Sequence, residues 1–119
     1  GAESRETSPT IDTLAARHLL DSDPTIAVID ARLADDAASV PVRLQGARRA
    51  PPDRIEAVAA GLARNSKAIV YCAWGFEIGG DCAARLRAHG IDAVAIAGGL
   101  GAWRADGLPT EPFKEGEAT

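Results

Sequence analysis

Lys67-Ala68-Ile69-Val70-Tyr71-Cys72-Ala73-Trp74-Gly75-Phe76-Glu77-Ile78-Gly79-Gly80 is the stretch on which the reading of this chain turns. After one lysine, residues 68–71 are continuously apolar rather than alternating, the pattern of a strand covered on both faces. The run stops at a cysteine. Glycines at 75, 79 and 80 mark a loop, and Asp81 to His89 reads as a helix closed by Gly90. This order of strand, cysteine, glycine-containing loop and helix puts Cys72 beyond the carboxyl end of a buried strand. Open α/β sheets hold their ligands there.

The flanking sequence repeats the alternation. Residues 1–8 are polar and expected to fray, so that Gly1 to Pro9 stands outside the folded unit. Ser8-Pro9 predicts a helix start, with Ser as cap and Pro at the first helical position. Ile11, Leu14, Ala15, His18 and Leu19 follow at helical spacing until Asp21-Ser22-Asp23-Pro24 breaks the helix. Ala27-Val28-Ile29 reads as a strand ending at Asp30. Residues 31–50 have the least regular pattern, with a turn at Gln45-Gly46. Pro51-Pro52-Asp53 opens a helix that runs to about Arg64 and ends at Asn65-Ser66. Asp92 to Ala97 is a third strand, Gly98-Gly99 a turn, and Leu100 to Ala105 a short helix. From Gly107 onward the chain is expected to be partly loose. Strands alternating with helices predict an α/β fold: a parallel-rich central sheet flanked by helices on both faces, with right-handed crossovers.

Composition narrows the classes. A chain of 119 residues, 46% apolar, is one globular domain. The net charge is −4 and the basic residues form no long run, which weighs against nucleic-acid binding. No apolar stretch approaches the length of a membrane span. The two cysteines, Cys72 and Cys82, do not make a disulfide framework, and neither they nor His18 and His89 form a metal-ligand pattern. The chain begins at Gly1 and contains no Met, so the native start is expected to lie elsewhere. The expected location is cytoplasmic, with the periplasm as the alternative.

Cys72 and Cys82 read differently. A glycine-containing turn lets successive backbone N–H groups point inward, and the positive end of the following helix adds to their field. That environment favours the thiolate and could hold a second anionic atom attached to the sulfur. An inert buried cysteine is the competing reading, and the strand-end position argues against it. Cys82 falls on the helix beside Ala83 and four residues before Leu86, where it reads as a core contact.

Four pieces of the chain, in order and at matching spacing, resemble the rhodanese-like (sulfurtransferase) domains. Val28-Ile29-Asp30-Ala31-Arg32 is similar to that family's strand ending in Asp-x-Arg. Leu44-Gln45-Gly46-Ala47 is similar to its Ile-Pro-Gly-Ala, with Gln45 in place of proline. Val70-Tyr71-Cys72 with the loop and helix resembles the catalytic strand and loop. Gly98-Gly99-Leu100-Gly101-Ala102-Trp103 resembles a Gly-Gly-x-x-Ala-Trp segment. The resemblance implies a rhodanese-like domain over residues 10–110 and a tail over 111–119. It also implies a sulfurtransferase or sulfane-sulfur carrier. Cys72 would take sulfur from thiosulfate or another sulfane donor as a persulfide, then give it to cyanide or a cellular thiol. The backbone of Ala73, Trp74, Gly75, Phe76, Glu77, Ile78 and Gly79 would form the substrate-binding loop. No metal or organic cofactor is implied.

Departures from the pattern shape the expectations. Most members carry Cys-x-x-Gly-x-Arg followed by Ser or Thr, whereas Glu77 and Ile78 stand here, and the spacing to Gly90 is one residue longer. A subgroup with Cys-x-x-Gly-His-Glu-Val-Ser-Gln is more similar, with Phe76 for His and two glycines for Ser-Gln. A carboxylate aimed into the site would repel thiosulfate and disfavour the thiolate; Glu77 is read instead as pointing outward or accepting loop N–H bonds. Arg48 and Arg49 are the candidates to replace the missing cation, with solvated surface charge as the other reading. Asp30 and Arg32 could orient the loop, with a structural ion pair as the preferred reading. Trp74 could wall the pocket or, if exposed, dock a partner protein, and Trp103 reads as core. The alternative to sulfur transfer is a non-catalytic regulatory or protein-binding domain. The remote alternative is a phosphatase or arsenate reductase of the same fold. That chemistry places Arg six residues after the cysteine, where this chain has Ile78, and phosphoryl transfer needs the cation.

Overall fold

In the computed structural model, which describes residues 9–75 and 77–116, Lys67–Tyr71 is the middle strand of the main sheet. The elements in chain order are β1 (Thr10–Ile11), α1 (Thr13–Ser22), β2 (Ala27–Asp30), α2 (Ala34–Ser39), β3 (Val42–Leu44) and β4 (Arg48–Arg49). A turn of 3₁₀ helix (Pro52–Arg54) then leads into α3 (Ile55–Gly61). The rest are β5 (Lys67–Tyr71), α4 (Glu77–Ala88), β6 (Asp92–Ile96), α5 (Gly99–Ala105) and β7 (Thr110–Pro112). The main sheet has the order β1-β6-β5-β2-β4, and all its pairs are parallel. Ile69 of β5 sits level with Val28 on one side and Val94 on the other. A second, antiparallel pair joins β3 to β7, with Arg43 opposite Glu111.

The continuous apolar run in β5 has the cause the pattern implies, because both faces are covered. On one face, Ala68 and Val70 pack with Ile55, Ala59, Cys82, Ala83 and Leu86 of α3 and α4. On the other, Ile69 and Tyr71 pack with Ala16, Leu44, Ile96, Leu100 and Trp103. A parallel sheet is covered this way because each crossover helix is laid on one face. The α/β class and the central parallel sheet with flanking helices stand as expected. No helix among the described residues is long and apolar enough to cross a membrane.

Several boundaries differ from expectation for local reasons. Ser8 lies outside the described residues, and no helix starts at Pro9. The β-branched pair Thr10-Ile11 adds a strand to the edge of β6 instead. Helix α1 begins at Thr13 because Asp12 is the cap, its carboxylate accepting the Ala15 N–H at 2.7 Å. The irregular segment 31–50 contains α2, β3 and β4, each too short to show a period. Helix α3 stops at Gly61 rather than near Arg64. Helix α4 starts at Glu77, four residues before Asp81. The glycines read as loop, Gly79 and Gly80, are buried inside its first turns.

Residues 108–116 are fixed rather than loose. Strand β7 pairs with β3, Phe113 is only 3% exposed, and the Trp103 indole N–H donates to the Pro109 carbonyl at 2.8 Å. Arg43 lies over the Phe113 ring and pairs with Glu111, and Glu115 pairs with Arg49. The sequence shows no strand period there because three residues are too few to carry one. The frayed segment expected over 1–9 lies outside the described residues, except for Pro9.

Two predictions follow from this packing. Truncating Phe113 to Ala removes a buried aromatic from the β3–β7 corner. It is expected to cost about 3–5 kcal/mol in urea unfolding, where a truly loose tail would show no change. The second concerns α3 and α4, which Arg85 joins by pairing with Glu56 while donating to the Pro52 carbonyl. That guanidinium lowers the Glu56 carboxyl from its ordinary 4.5 to about 2. Its contribution is therefore complete above about pH 4.5 and is lost as the pH falls towards about 2. Glu56→Gln should flatten the acid limb of a melting-temperature profile over that window.

Candidate active site

Cys72 is the first residue beyond β5, and its position is set from three sides. Strand β5 ends with the Tyr71 carbonyl accepting the Ala31 N–H at 2.8 Å, which fixes where the chain leaves the sheet. Behind the loop stands the start of α5. The Leu100 N–H donates to the Cys72 carbonyl, the Gly101 N–H to the Ala73 carbonyl and the Gly98 N–H to the Gly75 carbonyl, each at 2.9 Å. Leu100 and Gly101 are in the first turn of α5, whose N–H groups have no partner inside the helix. The loop supplies those partners. In planar trans peptides, turning the carbonyls of Cys72 and Ala73 toward α5 aims the N–H groups of Ala73 and Trp74 the other way.

Two glycines make this contact close enough. Gly99 has φ +59°, and a Cβ there would lie 2.4 Å from the Cys72 carbonyl oxygen. Gly98 has φ +81°, and its Cβ would lie 2.5 Å from the Ala102 Cβ. A side chain at Gly99 would have to move the cysteine loop, and one at Gly98 would clash with Ala102 and disturb the start of α5 that holds the loop. The Gly-Gly pair, legible in the sequence only as a turn, is thus the rear wall of the site. The signal available was a Gly-Gly pair after a buried strand and immediately before a helix.

The third side is α4. Its first turn packs against the cysteine, such that a Cβ on Gly79 would lie 3.7 Å from the Cys72 sulfur and 3.6 Å from its backbone nitrogen. The 12-residue helix therefore directs its positive end toward the sulfur. The Cys72 side chain is 3% exposed, and its thiol donates to the Trp74 carbonyl at 3.3 Å. Because α4 begins at Glu77, the substrate-binding stretch expected over Ala73 to Gly79 is two things. Ala73, Trp74 and Gly75 form a turn, and Glu77, Ile78 and Gly79 form a helical first turn. Phe76 lies outside the described residues.

The side chains around the mouth carry little positive charge. Trp74 is 70% exposed, Glu77 is exposed, and Ile78 is half-buried against the α4-side core. These three, with Gly75, line an open cavity of about 350 Å³. Ile78 occupies the place six residues after the cysteine, and no guanidinium stands there. A second cavity of about 180 Å³ flanks Trp74 on the α2 and α5 side, between Val40, Leu100 and Arg104.

The arginines singled out from the sequence are committed elsewhere. Arg32 is fully buried and grips both oxygens of Asp30, at 2.7 Å for the shortest contact, while donating to the carbonyls of Val40 and Val42. It ties the end of β2 to the segment before β3, and removing either charge would leave the other buried and unpaired. Arg49 pairs with Glu115 and donates to the Asp30 carbonyl. Arg48 is exposed on the edge strand β4, two strands from β5. Neither has a contact with the cysteine loop among the described residues. Cys82 is fully buried in the α4-side core, and burial pushes its thiol up to about 11. His18 and His89 are exposed on α1 and just past α4.

Comparison with known proteins places this geometry. No family model matches the chain, and no curated protein does. Solved structures do. A protein from Anabaena sp. is 26% identical over 87% of this chain and 80% of its own, with a TM-score of 0.74; a solution structure from the same protein is of its rhodanese-like domain. The thiosulfate sulfurtransferase of Pseudomonas aeruginosa is 23% identical over 93% of this chain but 20% of its own, with a TM-score of 0.75. A Rhodopseudomonas palustris protein of unknown function, described as a possible tyrosine phosphatase, is 23% identical over 87% of this chain and 85% of its own, with a TM-score of 0.74.

Two outcomes check this site. With iodoacetamide at pH 7, Cys72 is expected to be alkylated while Cys82 stays unmodified until the pH approaches about 11 or the chain unfolds. Equal rates at neutral pH would contradict the difference drawn between them. Gly99→Ala is expected to cost about 2 kcal/mol or more in unfolding and to change the Cys72 alkylation rate. A silent substitution would mean that α5 does not hold the loop.

Proposed function

The chain has a rhodanese-like fold, and from that footing we propose that it moves sulfane sulfur through a persulfide on Cys72. The observation that carries the reading is the placement of one thiol at the end of the central strand, against the first turn of α4, in a turn whose carbonyls are engaged by α5. The donor has the form of thiosulfate or another sulfane compound. The Cys72 thiolate attacks the outer sulfur of the donor. A sulfur–sulfur bond to Cys72 forms as the donor's own sulfur–sulfur bond breaks, and thiosulfate leaves as sulfite. A thiophilic acceptor, cyanide or a thiol, then attacks the outer sulfur of the persulfide and regenerates the Cys72 thiolate.

The chain's own groups have identifiable parts in this reaction. The N–H groups at the start of α4 favour negative charge at the sulfur and at the atom added to it. The N–H groups of Ala73 and Trp74, turned away from α5, are the next available donors. The reaction as written uses no metal or organic cofactor. Both cysteines are free thiols, which fits a reducing compartment and is the basis for placing the reaction in the cytoplasm.

One observation favours a second reading. Trp74 is 70% exposed beside the cysteine turn, and among the described residues no cation lines the adjoining cavity, as a protein-docking surface without turnover would have it. Phosphoryl transfer has less support, because Ile78 faces the core where that chemistry needs a guanidinium.

Intact mass after incubation with thiosulfate, and separately with an inorganic polysulfide, tests the proposal. The expected result is a gain of one sulfur atom that is removed by cyanide and is absent in Cys72→Ala. If neither these donors nor a low-molecular-weight persulfide gives the adduct, the docking reading replaces this one.

A further inference from the structure

The charge at the mouth of the site bears on the class of donor, an inference that rests on the sulfur-transfer reading above. The cavity beside the cysteine turn is lined by Trp74, Gly75, Glu77 and Ile78, so among the described residues its one ionisable side chain is a carboxylate. Glu77 is exposed and makes no ion pair with any described residue. The arginines around the site have other places: Arg32 holds Asp30, Arg49 holds Glu115, and Arg104 lines, with Arg32, the other cavity beside Trp74. An approaching dianion therefore meets an uncompensated negative charge. At helix N-terminal N–H groups, Glu77 also competes for the same positive end that would welcome it.

We propose that the site selects sulfur donors that carry no net negative charge, and specifically low-molecular-weight persulfides of cationic thiols, in which the ammonium offsets an ionised persulfide. Thiosulfate is then a poor donor. In the reaction, the Cys72 thiolate attacks the outer sulfur of R–S–SH. The bond from Cys72 to that sulfur forms, the bond between R–S and that sulfur breaks, and R–S leaves as thiolate and takes a proton from water. The transferred sulfur keeps its hydrogen until it ionises. Sulfane sulfur is only relocated, so no oxidant or reductant is needed. Trp74 provides an apolar wall for the carrier, and Glu77 tolerates or attracts a cationic one.

The test compares initial rates of sulfur loading on Cys72, read by intact mass, for thiosulfate and for cysteamine persulfide generated in situ. Wild type, Glu77→Gln and Glu77→Arg are each normalised to their own iodoacetamide rate, which removes general changes in thiol reactivity. The ratio of thiosulfate to cysteamine persulfide should rise about tenfold in Glu77→Gln, the scale of one unit charge acting on a dianion across a solvated mouth. It should rise further in Glu77→Arg, and both differences should shrink in high salt. A ratio unchanged across the three proteins, while Cys72 is still loaded, would overturn the donor selection and leave the persulfide reading standing. If neither donor loads Cys72 in any of the three proteins, the persulfide reading itself is overturned, and this inference with it.

Discussion

The three backbone hydrogen bonds between the start of α5 and the carbonyls of Cys72, Ala73 and Gly75 are the constraint on which the site depends. They solve two problems together. Helix α5 has N–H groups in its first turn that need acceptors, and the turn after β5 has buried carbonyls that need donors. Joining them fixes the turn's curvature and decides which way its remaining N–H groups face. The junction works only at the distance that Gly98 and Gly99 permit. The sheet registers β5 between β2 and β6, and α5 follows directly from β6, so the parallel topology itself brings the clamp to the cysteine.

The surroundings of the two thiols differ. Cys82 faces the core of α4, where burial opposes ionisation. Cys72 faces the end of the same helix, where the backbone favours negative charge. The arginines of the chain do not change this contrast, because the buried ones serve the architecture. Arg32 closes the link between β2 and β3, and Arg49 fastens the segment after β7 to the edge of the sheet. The charge of the site is therefore supplied by backbone dipoles and by Glu77.

How much of this was legible in the sequence varies with the physics of each element. The apolar run 68–71 could be read because two-sided burial removes alternation, and from it came the sheet and the position of Cys72. The first strand could not, since Thr10-Ile11 is too short for a period and Pro9 imitates a helix start. The glycines at 79 and 80 were misleading. Glycine usually weakens a helix, but here both glycines are buried in the first turns of α4, where the helix packs against the cysteine and the sheet. The order around β7 was hidden because its stability comes from contacts distant in sequence, among them Trp103 with Pro109 and Arg49 with Glu115. For the same reason Arg48 and Arg49 looked available for the site. Only the fold reveals that Arg49 has an acidic partner 66 residues away.

The central claim is that the turn after β5 and the first turn of α4 together hold a sulfur atom added to Cys72. Amide chemical shifts recorded before and after loading with one equivalent of a sulfane donor test it most directly. The account predicts changes concentrated at Ala73, Trp74, Gly79 and Gly80, reversed by cyanide and missing in Cys72→Ser. Changes scattered over the sheet, or none at these amides when mass shows that sulfur is bound, would contradict it.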